Sequence, residues 1–234
     1  MQIDCVAFGA HPDDVELFCS GLLLKLKSQG YKTAIVDLTQ GELSTNGDIK
    51  TRQGESEKAS NILQLDFRVN AAIRDGHIVN DWENRMAIIK LIRKLKPTLC
   101  LIPYWEDRHP DHRNASVLLR EALFFSGLTK IETEEEAIRP KTIIYYMLHN
   151  TFMPTFIVDI SEEMDNKIAA IRVYKSQFEN DPVRSKGTFI NRSDFLETIL
   201  IRAKYYGQKI GCSFGEPYYF DGALKINNIM TFFT

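Results

Sequence analysis

The stretch from Ile3 to Leu26 restricts the fold of this 234-residue chain more than any other. An apolar run, Ile3 to Phe8, stops at Gly9. His11-Pro12-Asp13-Asp14 follows, and then Leu17, Leu22, Leu23, Leu24 and Leu26 recur at helical spacing. A buried strand feeding a helix, through a turn that carries one imidazole and two carboxylates, accounts for both patterns. In an open α/β sheet such a turn lies outside the carboxyl end of a strand, where ligands bind.

Strand and helix patterns alternate from there to Leu148. The strand at Met1–Gly9 leads to a helix over Asp13–Gln29, ended by Gly30, and Lys32–Leu38 is the next strand. The polar loop Thr39–Lys50, with Gly41, Glu42, Ser44, Thr45, Asn46 and Gly47, is long enough to suggest a functional role. A helix over Arg52–Leu63, a strand at Phe67–Ala72 and an amphipathic helix over Asp81–Lys94, stopped by Pro97, come next. The apolar strand Thr98–Pro103 runs into Tyr104-Trp105-Glu106-Asp107-Arg108-His109-Pro110-Asp111-His112, followed by a helix over Asn114–Ser126 and a strand at Thr142–Leu148. Beyond it, the pattern gives a strand at Phe156–Ile160, helices over Glu162–Phe178 and Asp194–Gly207, and a strand or ordered tail at Pro217–Leu224. This alternation predicts an α/β fold: a mostly parallel sheet with right-handed crossovers, helices on both faces and a C-terminal elaboration. No linker or repeat divides the chain, so one domain over 1–234 is expected.

Composition narrows the function. The formal net charge is −2 and neither sign forms a long block, which speaks against a nucleic-acid or membrane-surface partner. No apolar stretch reaches the ~18 residues of a membrane span, and the chain starts in a strand pattern rather than a signal peptide. Cys5, Cys19, Cys100 and Cys212 form no C-x-x-C pair, and two of them fall in core strands as small apolar residues. A cytoplasmic protein without disulfides is expected.

Of five histidines, His11, His109 and His112 lie in the two turns, and each turn contains His-Pro-Asp after an apolar strand. If the two strands are neighbours in the sheet, the turns face each other across a crevice. An imidazole and a carboxylate three residues apart, with an imidazole from the second turn, form a three-ligand set suited to zinc with an open coordination position. Neither turn holds a cysteine, which excludes a closed thiolate site there. A single Asp at a helix start is ordinarily a cap, with a dipole contribution of ~0.3–1 kcal/mol. Two adjacent Asp after a His, echoed at a second strand end, exceed what capping requires.

Ala10-His11-Pro12-Asp13-Asp14 with Glu16, and His109-Pro110-Asp111-His112, resemble the LmbE-like (PIG-L-type) zinc N-deacetylases of N-acetylglucosaminyl compounds. The Gly41-Glu42 loop, and Arg52, Glu55 and Ala59 on the next helix, fit the same pattern. The resemblance implies a Rossmann-like sheet, zinc held by His11, Asp14 and His112, and Asp13 as general base. The length and the segment Tyr104–His109 are most similar to the bacillithiol-pathway branch, which deacetylates N-acetylglucosaminyl-malate. That branch implies a small-molecule glycoside substrate and a homo-oligomer, with a hexamer as one size.

In such a reaction His109, held protonated by Asp111, would stabilise the oxyanion. Arg52 would grip sugar hydroxyls or an anion. Arg108 would read the malate carboxylates, with Arg184 and Lys186 as weaker candidates. Glu16 and Glu42 would orient ligands or loops. His77 and His149 carry no motif, and the family's C-terminal tyrosine has no assigned counterpart among Tyr205, Tyr206, Tyr218 and Tyr219. Three alternatives stand beside this reading. One is a deacetylase of other N-acetylglucosamine or chitooligosaccharide substrates, and another is a non-catalytic zinc-binding protein, against which the retained Asp13 and His109 argue. The third, a dinucleotide binder, lacks the glycine fingerprint after the first strand.

Overall fold

A computed structural model describes residues 1–179, 187–192 and 194–230. Among these residues seven strands form one sheet: β1 (Cys5–Gly9), β2 (Thr33–Asp37), β3 (Phe67–Asn70), β4 (Leu99–Pro103), β5 (Thr142–Tyr146), β6 (Phe156–Asp159) and β7 (Gly215–Tyr219), in the order β3-β2-β1-β4-β5-β7-β6. The first five run parallel, while β7 is antiparallel to both β5 and β6. The α/β sheet expected from the alternation is present, and β1 and β4 are neighbours, as the crevice requires.

Successive strand residues point to opposite faces, so each face builds its own core. Val6, Phe8, Ala34 and Val36 pack with Ile88, Ile89 and Ile92 of α4 (Trp82–Leu95) and Leu118 and Leu119 of α5 (Pro110–Phe125). On the other face Cys5, Ala7, Ile35 and Leu101 meet Val15, Leu22, Leu23 and Ile199. Burying each such Leu, Ile or Val contributes about 1.5–3 kcal/mol. All four cysteines are free thiols, three of them buried.

Two predicted helices are broken. The expected helix over 13–29 is α1 (Asp14–Phe18) and α2 (Ser20–Ser28), separated by non-helical Cys19. Glu216 of β7 explains the break: its carboxylate accepts the backbone N–H of Gly21 (2.9 Å) and Leu22 (2.8 Å), capping a new helix start. Gly21 is required there, because a Cβ would stand 2.7 Å from Glu216 Oε1. The expected helix over 162–178 is α6 (Met164–Arg172) and α7 (Lys175–Phe178). Between them Tyr174 turns inward and donates its hydroxyl to Glu16 Oε1 (2.8 Å). α3 (Ile49–Ile62) and α5 start earlier than their periodicity indicates, because Asp48 and His109 cap them. The last helix, α8, spans Phe195–Lys209.

Candidate metal centre

The first turn is made tight by Gly9, where a Cβ would lie 3.0 Å from the His11 carbonyl oxygen. The chain then folds back: His11 N–H donates to Asp14 Oδ2 (2.9 Å), and Asp13 adopts φ 119°. Left-handed backbone at a non-glycine residue costs roughly 1–3 kcal/mol and persists only where the surroundings enforce it. Here Arg52 of α3 does so, donating from Nη2 to the Pro12 carbonyl and lying 3.5 Å from Asp13 Oδ2. The second turn is a regular helix start. Pro110 is the first residue of α5, and His109 caps it by accepting the Asp111 N–H on Nδ1 (3.2 Å).

Both turns converge on Asp14. His11 Nδ1 lies 3.5 Å from Asp14 Oδ2, and His112 Nε2 lies 3.2 Å from Asp14 Oδ1. The far ring nitrogens have other partners: His11 Nε2 is 3.2 Å from Asp75 Oδ1 and 3.4 Å from Asp111 Oδ2, and His112 Nδ1 is 2.8 Å from Asp107 Oδ1. With the ring protons assigned to those outer carboxylates, each inner nitrogen turns a lone pair toward Asp14. One ligand atom from each of the three residues lies within 4.8 Å of the other two. Two imidazole lone pairs and a carboxylate meeting at a cleft wall are the donor chemistry of a divalent ion with an open position, so these residues fit a metal.

The surrounding carboxylates favour the protonated forms of both rings, and a metal ion binding there would have to displace those inner protons. Burial disfavours charge on His112, but Asp14 and hydrogen-bonded Asp107 outweigh it and raise the ring to about 9. Burial likewise opposes charge on His11, yet hydrogen bonds to Asp111, Asp14 and Asp75 lift it well above its ordinary value. Asp14, despite burial, is held well below the usual carboxylate range by His112 and His11. Asp13 behaves differently. Burial prevails over the attraction of Arg52, with Asp14's charge adding to it, and its carboxyl moves up to about 7. A buried carboxylate that titrates near neutrality, beside the donor set but outside it, has the character of a general base.

Around this centre opens a cleft of about 350 Å³, lined by the two turns, Leu43 to Asn46, Arg52, Asp75, His149, Gln177 and Thr188. Of the residues picked out in the sequence, His11, Asp13, Asp14, Arg52, His109, Asp111 and His112 all line it. Three arrangements differ from expectation. The carboxylate of Asp111 faces His11 and accepts the Gly76 N–H (2.9 Å), leaving only its backbone N–H on His109. His109 is therefore a hydrogen-bond acceptor at Nδ1, and burial with the charges of His112 and His11 lowers its pKa rather than holding it protonated. Arg52 spends its guanidinium on the Asp13 turn, passing Gly41, whose φ of 68° suits glycine and whose Cβ would lie 3.4 Å from Nη2. Arg108 is exposed at the rim, 4.0 Å over the Phe189 ring, and is not among the cleft-lining residues described. Arg184 and Lys186 lie outside the described residues.

Three site residues were given no role by the sequence. Asp75 follows β3, Asp107 follows β4 and His149 follows β5, all at the same sheet edge, which is the one signal that could have found them. The His149 ring stacks on His112 with centroids 5.6 Å apart. Glu42 accepts the Asp75 N–H (2.7 Å), and Glu16 is buried against Arg68 (2.6 Å) and Tyr174. The four C-terminal tyrosines are not among the described cleft-lining residues; Tyr174 lies nearer, with Arg52 over its ring at 5.8 Å.

Comparison with known proteins adds independent findings. The family profile PIG-L, described as GlcNAc-PI de-N-acetylase, matches residues 6–123, which include both turns. The diacetylchitobiose deacetylase of Thermococcus kodakarensis is 31% identical over 218 residues, covering 88% of this chain and 78% of that protein. Among solved structures, the conserved protein TT1542 from Thermus thermophilus superposes with a TM-score of 0.88 at 34% identity, over 96% of this chain and 97% of that one. The N,N'-diacetylchitobiose deacetylase from Pyrococcus horikoshii does so with a TM-score of 0.80 at 26% identity, over 92% of this chain and 82% of that one.

Proposed function

The chain belongs to the PIG-L (GlcNAc-PI de-N-acetylase) family, and from that premise we propose that it is a zinc-dependent hydrolase removing the acetyl group from an N-acetylglucosaminide. Water enters, and acetate and a free amine leave. The observation that carries this reading is the convergence of His11, Asp14 and His112 beside Asp13 in an open cleft.

An acetamide is a poor electrophile and water a poor nucleophile. His11, Asp14 and His112 would hold the zinc ion, which when bound would supply Lewis acidity to a water, lowering its pKa to about 7, and to the amide carbonyl. Asp13 takes the proton of the attacking water and returns it to the leaving amine. His109, whose Nδ1 is occupied by the Asp111 N–H, carries its proton on Nε2 and offers it, as a neutral imidazole, to the developing oxyanion. Asp111 and Asp75 accept from His11 and keep its tautomer fixed. Arg52 holds the Asp13 turn and stands at the cleft wall within reach of sugar hydroxyls.

Two aglycones fit. Similarity to diacetylchitobiose deacetylases favours a second sugar. A malate group, as in the bacillithiol branch, is favoured by Arg108, an exposed cation at the rim. The deacetylase unit spans 1–234 in this reading and self-associates, for which exposed Trp82, Val117 and Phe124 offer apolar surface. No described helix is long and apolar enough to cross a membrane, which suits a cytoplasmic enzyme on a small soluble glycoside. The test is acetate release from N-acetylglucosamine, N,N'-diacetylchitobiose and N-acetylglucosaminyl-malate, with and without a chelator. Release from at least one, abolished by the chelator and restored by zinc, is expected. Chelator-resistant release, or none from any of the three, contradicts the proposal.

A further inference from the structure

Asp107, Asp75 and His149 reach the metal centre without belonging to its donor set, and Asp107 is the most completely engaged. Its side chain is wholly buried, and it accepts four N–H groups. Oδ1 takes His112 Nδ1 (2.8 Å) and the His109 backbone N–H (2.9 Å), while Oδ2 takes the backbone N–H of His149 (2.8 Å) and Asn150 (3.2 Å). Asp107, His112 and His149 lie close enough together to be considered as a second metal site. The hydrogen bonds argue otherwise: a carboxylate offers about four lone-pair sites, and all four are used.

We propose that Asp107 is the positioning residue of the metal ligand His112, fixing its proton on Nδ1 so that Nε2 faces the metal, while its backbone bonds lock His109 and His149 on either side. The inference rests on the reading of His11, Asp14 and His112 as the metal ligands. A carboxylate behind an imidazole sets its tautomer and orientation and makes the ligating nitrogen more basic. Asp107 does this from the turn after β4, yet its second oxygen is anchored to the loop after β5. That loop is held from its other side by Arg202 of α8, which donates to the Leu148 and His149 carbonyls. The His112 ring is thus fixed by two strand-end loops at once, with the His149 ring stacked on its face.

The experiment measures zinc affinity by chelator competition for the wild-type protein, Asp107→Asn and His112→Ala. It also assigns the imidazole protons of the zinc-loaded wild-type protein by 15N NMR. Asparagine keeps the shape but loses the charge, and it turns an NH2 group toward two backbone donors. Asp107→Asn should still bind one zinc, about 10–100-fold more weakly, while His112→Ala should lose stoichiometric binding. The wild-type spectrum should place the His112 proton on Nδ1, hydrogen-bonded; this readout holds even if the variant folds poorly. Wild-type affinity in Asp107→Asn, or a proton on Nε2, overturns the role of Asp107 alone. Stoichiometric zinc in His112→Ala overturns the metal-site reading beneath it.

Discussion

The two His-Pro-Asp turns share three residues, follow neighbouring parallel strands and face each other, yet they fold differently. At His109-Pro110-Asp111 the proline begins a helix and the histidine caps it, with every residue in ordinary backbone. At His11-Pro12-Asp13 the helix waits two residues longer, until Asp14, and Asp13 is driven to φ 119°. The difference traces to what each turn must deliver. The second needs its proposed ligand, His112, on the first helical turn, and a helix start provides it. The first has to present His11 and Asp14 to one point and hold Asp13 aside, which a regular helix start does not do. Its strain is held by buried partners, Arg52 above all, whereas His109 and Pro110 are exposed. Conformational cost is concentrated on the turn that carries Asp13, the proposed base.

Substitutions in the two turns put this difference to the test. The largest effect is expected where the turns meet. His11→Ala, Asp14→Ala and His112→Ala should each lose stoichiometric zinc and all zinc-dependent turnover, read by elemental analysis and acetate release. Retention of zinc in all three would remove the shared centre. Next comes the strained residue itself: Asp13→Asn should keep zinc and fold while losing about 10²–10⁴ in kcat, as removal of a general base does. Loss of metal together with activity would mean that the two aspartates have exchanged roles. In the second turn, His109→Ala should cost about 10²–10³ in kcat with zinc retained, and full activity in that variant would confine its role to capping. If Arg108 reads malate, Arg108→Ala should lower kcat/KM for N-acetylglucosaminyl-malate and leave N-acetylglucosamine unchanged; equal losses on both refute the role. The smallest effect separates the turns by stability. Asp13→Gly should raise the thermal midpoint of metal-free protein by releasing roughly 1 kcal/mol of strain, whereas Asp111→Gly, at an unstrained helical position, should lower it through a loss of about 1 kcal/mol or more.

The same contrast shows what the sequence discloses. His11, Asp13, Asp14, His109 and His112 were legible because their residue types recur at short spacing after apolar strands, and the alternation behind them dictated the parallel sheet. Asp75 and His149 were not, because each stands apart from any motif and acquires meaning only when strand order brings the ends of β3, β4 and β5 to one edge, and Asp107, though written in the second turn, gave no sign that its carboxylate would back His112. The expectation that Asp111 holds His109 charged failed for a related reason. Adjacency in sequence does not say which way a carboxylate turns, and Gly76 with His11, distant along the chain, claims it. Helix breaks at Cys19 and Tyr174 escaped the periodicity because tertiary partners, Glu216 and Glu16, make them.

The proposed function requires the two turns together to hold one catalytic metal ion. It is tested most directly by titrating zinc into chelator-stripped protein while following acetate release from an N-acetylglucosaminide that the loaded enzyme accepts. Activity rising from near zero in proportion to added zinc, and levelling at one equivalent per chain, is the predicted result. Full activity in the stripped protein, or zinc uptake at one equivalent with no activity regained, would contradict it.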